Sequence, residues 1–221
     1  MRNILNILVV LATIAVFAAC EDYLTPQEVP SKTGITFTNT ENVKGTYVIV
    51  GQPALREETS NEWLPPRQGE YKAYFSSVSP KGDVISISGK DPIIIGQTTF
   101  TVSNIDDKTT VSIPVKEISS KLYIKKGKNI RISKVLLKGF HPSVLMNGEF
   151  NETTKSIEFD NINYDFCWHV VAKQIEISVS VDITSNLGET QDFKAFKENI
   201  DIRPGHQCTI TVTPSGLSLS E

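Results

Sequence analysis

Three histidines and three cysteines are all that 221 residues offer for soft-metal or thiol chemistry. None falls in a metal or redox spacing, since there is no HExxH and no paired CxxC. A phosphate-cradling glycine loop and the GxSxG elbow of hydrolases are also missing. The histidines stand apart, His141 in GFHPS, His169 in DFCWHVV and His206 in RPGHQ. A Ser–His–Asp triad is defined by geometry, not chain order, but nothing in the pattern favours one. The expectation is therefore no enzyme, with no catalytic residue, metal or cofactor. Positive charge is not in excess: the net charge is −3, and −4 once residues 1–19, which hold Arg2 and no acid, are removed. That disfavours nucleic acid as a partner. Helical periodicity is scarce. Only QDFKAFKEN, with Phe193 and Phe196 three apart, has helical spacing, and it is short enough for a turn or two. Without alternating strand and helix units, a parallel α/β sheet is excluded.

One long apolar run is present, from about Ile4 to Ala19 behind Arg2. It falls short of the roughly 20 residues a bilayer core requires, and no basic stop signal follows. This is the layout of a secretory signal. Its end, FAAC, resembles the lipobox of bacterial lipoproteins, which implies cleavage before Cys20 and acylation of that thiol, palmitate among the chains. Several chains make such an anchor durable. The acidic pair Glu21 and Asp22 resembles the surface-export signal of Bacteroidetes-type lipoproteins. Residues 1–19 are thus read as signal peptide and 20–33 as a lipidated tether.

Beyond residue 33, short segments alternate apolar and polar residues between Gly, Pro, Asn, Asp and Ser. They include GITFT, TYVIV, EYKAYF, DVISIS, PIII, TFTV and TVSIPV, then KLYIK, NIRISKVLL, SVLMN, SIEF, DFCWHVV, QIEISVSVDI, NIDI, CTITVT and LSLS. In QIEISVSVDI, Ile175, Ile177, Val179, Val181 and Ile183 face one way and Glu176, Ser178, Ser180 and Asp182 the other, so one side of that sheet is wet. About fifteen such strands at turn spacings of 8–12 residues predict an all-β chain of two sandwiches. The apolar fraction of 39% is adequate for their cores. The boundary falls where TVSIPV gives way to KEISSK, giving 34–117 and 118–221. With Cys20 acylated, Cys167 and Cys208 remain. An exported compartment permits them to pair, but their positions do not show that their Cβ atoms meet, so a disulfide and two separate thiols both stay open.

Three clusters are weighed for binding. Asp160, Asn161, Asn163 and Asp165 offer hard oxygens, but the sixth position holds Asp165 instead of glycine and the twelfth Val171 instead of glutamate, so a turn accounts for them better than calcium. Lys121, Lys125, Lys126, Lys128, Arg131, Lys134 and Lys138 come without one acid. They read as a solvated hairpin with protected edges, the other reading being a patch for an acidic subunit or lipopolysaccharide phosphate. Trp63, Tyr71 and Tyr74 are either a sugar platform or the cap of a core, and Trp168 reads as core.

ITFT after Cys20, NEW and EYKAYFSSVSP, then SSKLYIKKGKNIRISKVLLKGF with MNGEF, and finally VVAKQIEISVSVDI with IRPGHQCTITVTPSGLSLS, together resemble the fimbrillin-like proteins of Bacteroides and Porphyromonas relatives. The resemblance spans most of the chain after Cys20. It implies two transthyretin-like, Greek-key β-sandwiches in tandem and a type V pilus subunit or accessory protein at the outer membrane or fimbrium. The implied partners are other fimbrial subunits and a host or bacterial surface ligand. It also implies that a protease removes the first strand, with Ile35 and Phe37, to open a groove for a neighbour's strand. Arg56 in PALREET and Arg67 in PPRQGE are the processing candidates, in segments read as polar, proline-flanked loops. Little chain follows LSLSE to act as donor, which keeps tip, accessory and anchor roles open beside the stalk. The competing function is a surface glycan-binding lipoprotein of a polysaccharide-utilisation system, with Trp63, Tyr71 or Trp168 as its platform.

Overall fold

The computed structural model describes residues 33–162, 165–184 and 190–220. Every regular element among them is a strand, as the alternation predicts. In the N-terminal half a three-stranded sheet runs in the order β4 (Glu62–Trp63), β1 (Gly34–Asn39), β8 (Lys108–Ile113). It packs on a five-stranded sheet ordered β3 (Leu55–Thr59), β2 (Thr46–Gly51), β5 (Gly69–Ser76), β7 (Ile94–Val102), β9 (Val115–Glu117). TVSIPV is split between β8 and β9 because Pro114 has no N–H to give a ladder.

The C-terminal half repeats this plan. One sheet has the order β14 (Phe166–Val170), β10 (Ser120–Lys126), β17 (Gln207–Thr213), β18 (Gly216–Ser220), and the other β13 (Lys155–Ile162), β11 (Ile130–Phe140), β15 (Gln174–Thr184), β16 (Thr190–Asp201). Strands β4-β1-β8 correspond to β14-β10-β17, and β3-β2-β5-β7 to β13-β11-β15-β16. In each half the first strand runs parallel to a late one, β1 with β8 and β10 with β17. Each is flanked on the other side by an antiparallel strand whose tryptophan sits directly opposite it, Trp63 across from Ile35 and Trp168 across from Leu122.

QDFKAFKEN is not helical. It lies inside β16, which pairs with β15 from Thr184↔Thr190 to Gln174↔Asp201. Once that ladder forms, period two replaces the three-residue spacing, so Phe193 packs on the core while Phe196 stands 51% exposed on the other face. Tertiary pairing overrides a short local preference.

Each half has its own apolar cluster, one drawn from β1, β2, β4, β5, β7 and β8, the other from residues between Leu122 and Val212. A third cluster joins the halves. A two-stranded sheet of β6 (Val84–Ser86) and β12 (Ser143–Leu145) pairs Ile85 with Val144, and both pack with Val48, Ile95, Met146 and Val171. The His169 N–H donates to the Gly89 carbonyl at 2.7 Å. Gly89, at φ +75°, presses on the indole of Trp168 so closely that a Cβ would lie 1.8 Å from Cε2, so no other residue fits that seam.

Candidate strand-exchange slot

β1 is built from GITFTN, whose alternation sends Ile35, Phe37 and Asn39 inward. Ile35 is 4% and Phe37 2% exposed. The Phe37 ring stacks on Tyr47 at 5.4 Å and meets Phe100 edge-on at 5.6 Å. Burying two such side chains is worth roughly 3–6 kcal/mol, to which aromatic pairs add about 0.5–1.5 each. The backbone of β1 is paired along its whole length on one side only, from Gly34↔Lys108 to Asn39↔Ile113. On the other side β4 supplies two pairs, Ile35↔Trp63 and Thr36↔Glu62, and the Phe37 N–H donates to the Asn61 carbonyl at 2.6 Å, which leaves the end of β1 uncovered on that flank. A cavity of about 540 Å³ opens beside β4, bounded by Gly34, Ile35, Glu62, Trp63, Leu64 and Lys108.

Asn39 closes the strand. Its Oδ1 accepts from the N–H of Val43 at 2.9 Å and of Glu41 at 3.3 Å, and its Nδ2 donates to the Val43 carbonyl at 2.8 Å and to the Tyr47 hydroxyl at 3.1 Å. One buried amide thereby pins the connection 40–45, in which Lys44 is exposed. Nothing in the alternation of GITFTN marks Asn39 for this role, although an Asx residue at a strand end is a turn signal.

The two arginine candidates are placed differently from one another, Arg67 in an exposed bend as the sequence suggests and Arg56 on a strand. Arg56 is not in a loop but on β3, opposite Val50. Its guanidinium donates to the Gly82 carbonyl and lies 3.3 Å from Glu58 and 3.5 Å from Asp83. PALREET reads as polar loop because β3 is an edge strand whose charged residues face solvent. Arg67 is exposed in the bend between β4 and β5, and its carbonyl accepts the Tyr71 hydroxyl at 2.8 Å. A cut after either arginine would carry away β2, whose Tyr47, Val48 and Ile49 are at most 4% exposed and which lies between β3 and β5. Only a cut within 40–45 separates β1 alone, and Lys44 is the one basic residue there.

The remaining candidates do not converge on the slot. Cys20 lies outside the described residues. Cys167 pairs with Tyr123 and is exposed; Cys208 pairs with Leu122 and is buried. They flank β10 on opposite faces of the sheet and are thiols, so the possible disulfide is not formed. Trp63 and Tyr71 are core residues, 5% and 2% exposed, with rings 4.9 Å apart; the Trp63 indole donates to Glu57 Oε2 at 2.6 Å. Trp168 packs on Phe159 at 4.7 Å beneath Gly89, and Lys72 covers Tyr74. A sugar platform of these aromatics is not available.

The basic run is divided between opposite faces, with Lys121 and Lys125 on the outer side of β10, and Lys134 and Lys138 on that of β11. There Lys134 pairs with Glu158 at 2.8 Å and Lys138 with Glu176 at 3.9 Å. Of the Asx cluster, Asn163 is outside the described residues. Asp165 accepts from the Tyr123 hydroxyl at 2.7 Å and the Lys126 N–H at 3.1 Å. Those bonds hold its carboxyl below the usual range and raise the phenol of Tyr123.

No family model and no curated protein sequence matches the chain. Solved structures do. A candidate cell adhesion protein of Bacteroides uniformis superposes with a TM-score of 0.52 at 11% identity, over 88% of this chain and 97% of that one. The chain has that fold. A fimbrial assembly protein of Parabacteroides distasonis gives 0.48 at 10% identity over 85% and 93% of the two chains. The fimbrial anchor protein Mfa2 of Porphyromonas gingivalis gives 0.44 at 11% over 80% and 89%.

Proposed function

We propose that this chain is a fimbrillin-like adhesion protein of the cell surface, acting as a fimbrial component that joins other subunits by β-strand addition. The observation that carries the reading is β1, a strand with core side chains and one thin flank, in the fold of a candidate adhesion protein. Strand addition needs what the slot would offer without β1. The backbone of β8 would supply unpaired N–H and C=O groups, and the holes of Ile35 and Phe37 would receive alternate apolar side chains. Catalysis plays no part in this mechanism. The proposal includes export, an acylated Cys20 at the outer membrane, and two tandem sandwiches meeting near residues 117 and 118.

Processing separates the roles. A chain that keeps β1 has a filled slot and suits an anchor or accessory position, whereas a chain that loses it accepts a neighbour's strand. The mass of the protein recovered from cell envelopes distinguishes them: acylated and starting at Cys20 for the first, starting at Gly45 for the second. An unmodified form starting at Met1 in the cytosol would overturn the reading.

A further inference from the structure

The two halves part company beyond their parallel pairs. In the C-terminal half β18 covers the outer side of β17, antiparallel from Thr209↔Ser220 to Thr213↔Gly216. Among the described residues no strand covers β8, the counterpart of β17, so β8 is an edge. The cause is local. After β17 a turn of Pro214 and Ser215 folds the chain back beside it, whereas after β8 the chain crosses at Pro114 to the other sheet, where β9 pairs with β7. Side-chain burial follows. Cys208 and Ile210 are buried, while Thr109 and Val111, at the matching positions beside β1, are exposed and half-buried.

The Gly34 and Thr40 N–H groups donate to the carbonyls of Asp107 at 3.3 Å and Ile113 at 3.1 Å, which turns the odd-numbered residues of β8 toward β1. Strand alternation then points the N–H and C=O groups of Lys108, Thr110 and Ser112 outward. Edges β3, β13 and β16 carry charges that discourage pairing: Arg56, Glu57 and Glu58, then Lys155, Glu158 and Asp160, then Asp192, Lys194 and Lys197. β8 carries none from Thr109 to Ile113. β18, which fills the equivalent place, is likewise uncharged, so the strand that fits beside β8 is uncharged and antiparallel. β8 of a second copy meets that description. With Thr110 on a two-fold axis, Lys108 falls opposite Ser112, so no like charges meet and two threonines face each other. Pro114, which lacks an N–H, stays outside the ladder. A two-fold contact of this kind closes as a dimer. We propose that two copies of this chain join edge to edge through β8, a contact distinct from the β1 slot that leaves β1 in place and exchanges no strand.

Sedimentation and hydrogen exchange of the full chain in detergent, over a range of protein concentrations, test this. A dimer that grows with concentration is expected. The amides of Lys108, Thr110 and Ser112 should exchange slowly only where the dimer is populated, while those of Thr109 and Val111, which face β1, stay slow throughout. Thr110→Pro removes a donor that points away from β1, so the thermal midpoint should hold, while dimerisation weakens on the order of thirtyfold through the two bonds lost at the axis. Thr110→Lys keeps the N–H but sets two ammonium groups side by side at the axis, and should also weaken the dimer. A monomer at every concentration, a dimer that neither variant weakens, growth past a dimer, or edge amides protected regardless of concentration would overturn the proposal. The last result would mean that a segment of the same chain covers β8.

Discussion

β1 and β10 open halves of like topology, and each lies parallel to a late strand with a tryptophan-bearing strand on its other flank. The flanks differ in length. β14 covers β10 through five consecutive pairs, Ser120↔Val170 to Ile124↔Phe166, whereas β1 has two pairs with β4 and one further bond, from the Phe37 N–H to the Asn61 carbonyl. β10 is also tied at its start, where the buried Ser120 hydroxyl donates to the Arg203 carbonyl and the Gly205 N–H to the Ser119 carbonyl at 2.7 Å. The same plan therefore yields one first strand covered on both sides and one with a short second flank, the strand that the proposed function makes separable. Flank length sets the difference, because side-chain burial is near complete in both, with Leu122 and Ile124 at 0% and Ile35 and Phe37 at 4% and 2%.

The largest effect should come from separating β1 outright. With a protease site built into 40–45 and cut, amides of 46–51 and 108–113 should lose hydrogen-exchange protection while those of 174–184 keep it. An added peptide of sequence GITFTN should restore the lost protection. If 174–184 opens as well, the two halves are one cooperative unit and the contrast between the strands fails.

Phe37→Ala comes next. Truncating a buried Phe costs about 3–5 kcal/mol, here through the contacts to Tyr47, Trp63 and Phe100, and urea unfolding measures it. The paired variant Leu122→Ala should cost about 2–5 kcal/mol but open residues 120–126 only with the rest of the C-terminal core. Asn39→Ala is smaller, about 1–3 kcal/mol for buried donors left unpaired. Its signature is kinetic: trypsin should cut after Lys44 much faster than in the unaltered chain, with a new N-terminus at Gly45.

Much of this contrast was legible in the sequence. Alternation alone put Ile35 and Phe37 inward and Ile175 to Val181 on one buried face, since period two follows from strand geometry. Long-range pairing was not legible. The brevity of β4 depends on where Asn61 to Trp63 land beside β1, and nothing local in PALREET announces that β2 will recruit it as an edge. QDFKAFKEN carried a helical spacing that only the β15 ladder overrules. The thiols of Cys167 and Cys208 read as a possible pair because sequence cannot say which face of which strand each takes.

The smallest effect concerns the strand that locks β10. His169, on β14, has a ring only 13% exposed, and its Nδ1 lacks a hydrogen-bond partner and stands 3.9 Å from Glu117 Oε1. That carboxylate oxygen already accepts the Ser119 hydroxyl at 2.8 Å, and Lys121 lies directly across from His169 on β10. Burial is the chief influence and pushes the imidazole pKa down; Glu117 opposes it, Lys121 adds to it and Asp91 opposes it. The folded chain thus binds this proton less readily than the unfolded chain. The resulting stability is full above the ordinary histidine value near 6.5 and is lost as pH falls through that value toward the depressed one. The thermal midpoint should therefore drop more between pH 7 and pH 5 in the unaltered protein than in His169→Gln, with amides of 166–170 exchanging earlier. A rise on acidification would mean that the charged ring pairs with Glu117 strongly enough to outweigh its burial, and β14 would then be a flank that acid tightens, widening the gap between the locked strand and the separable one.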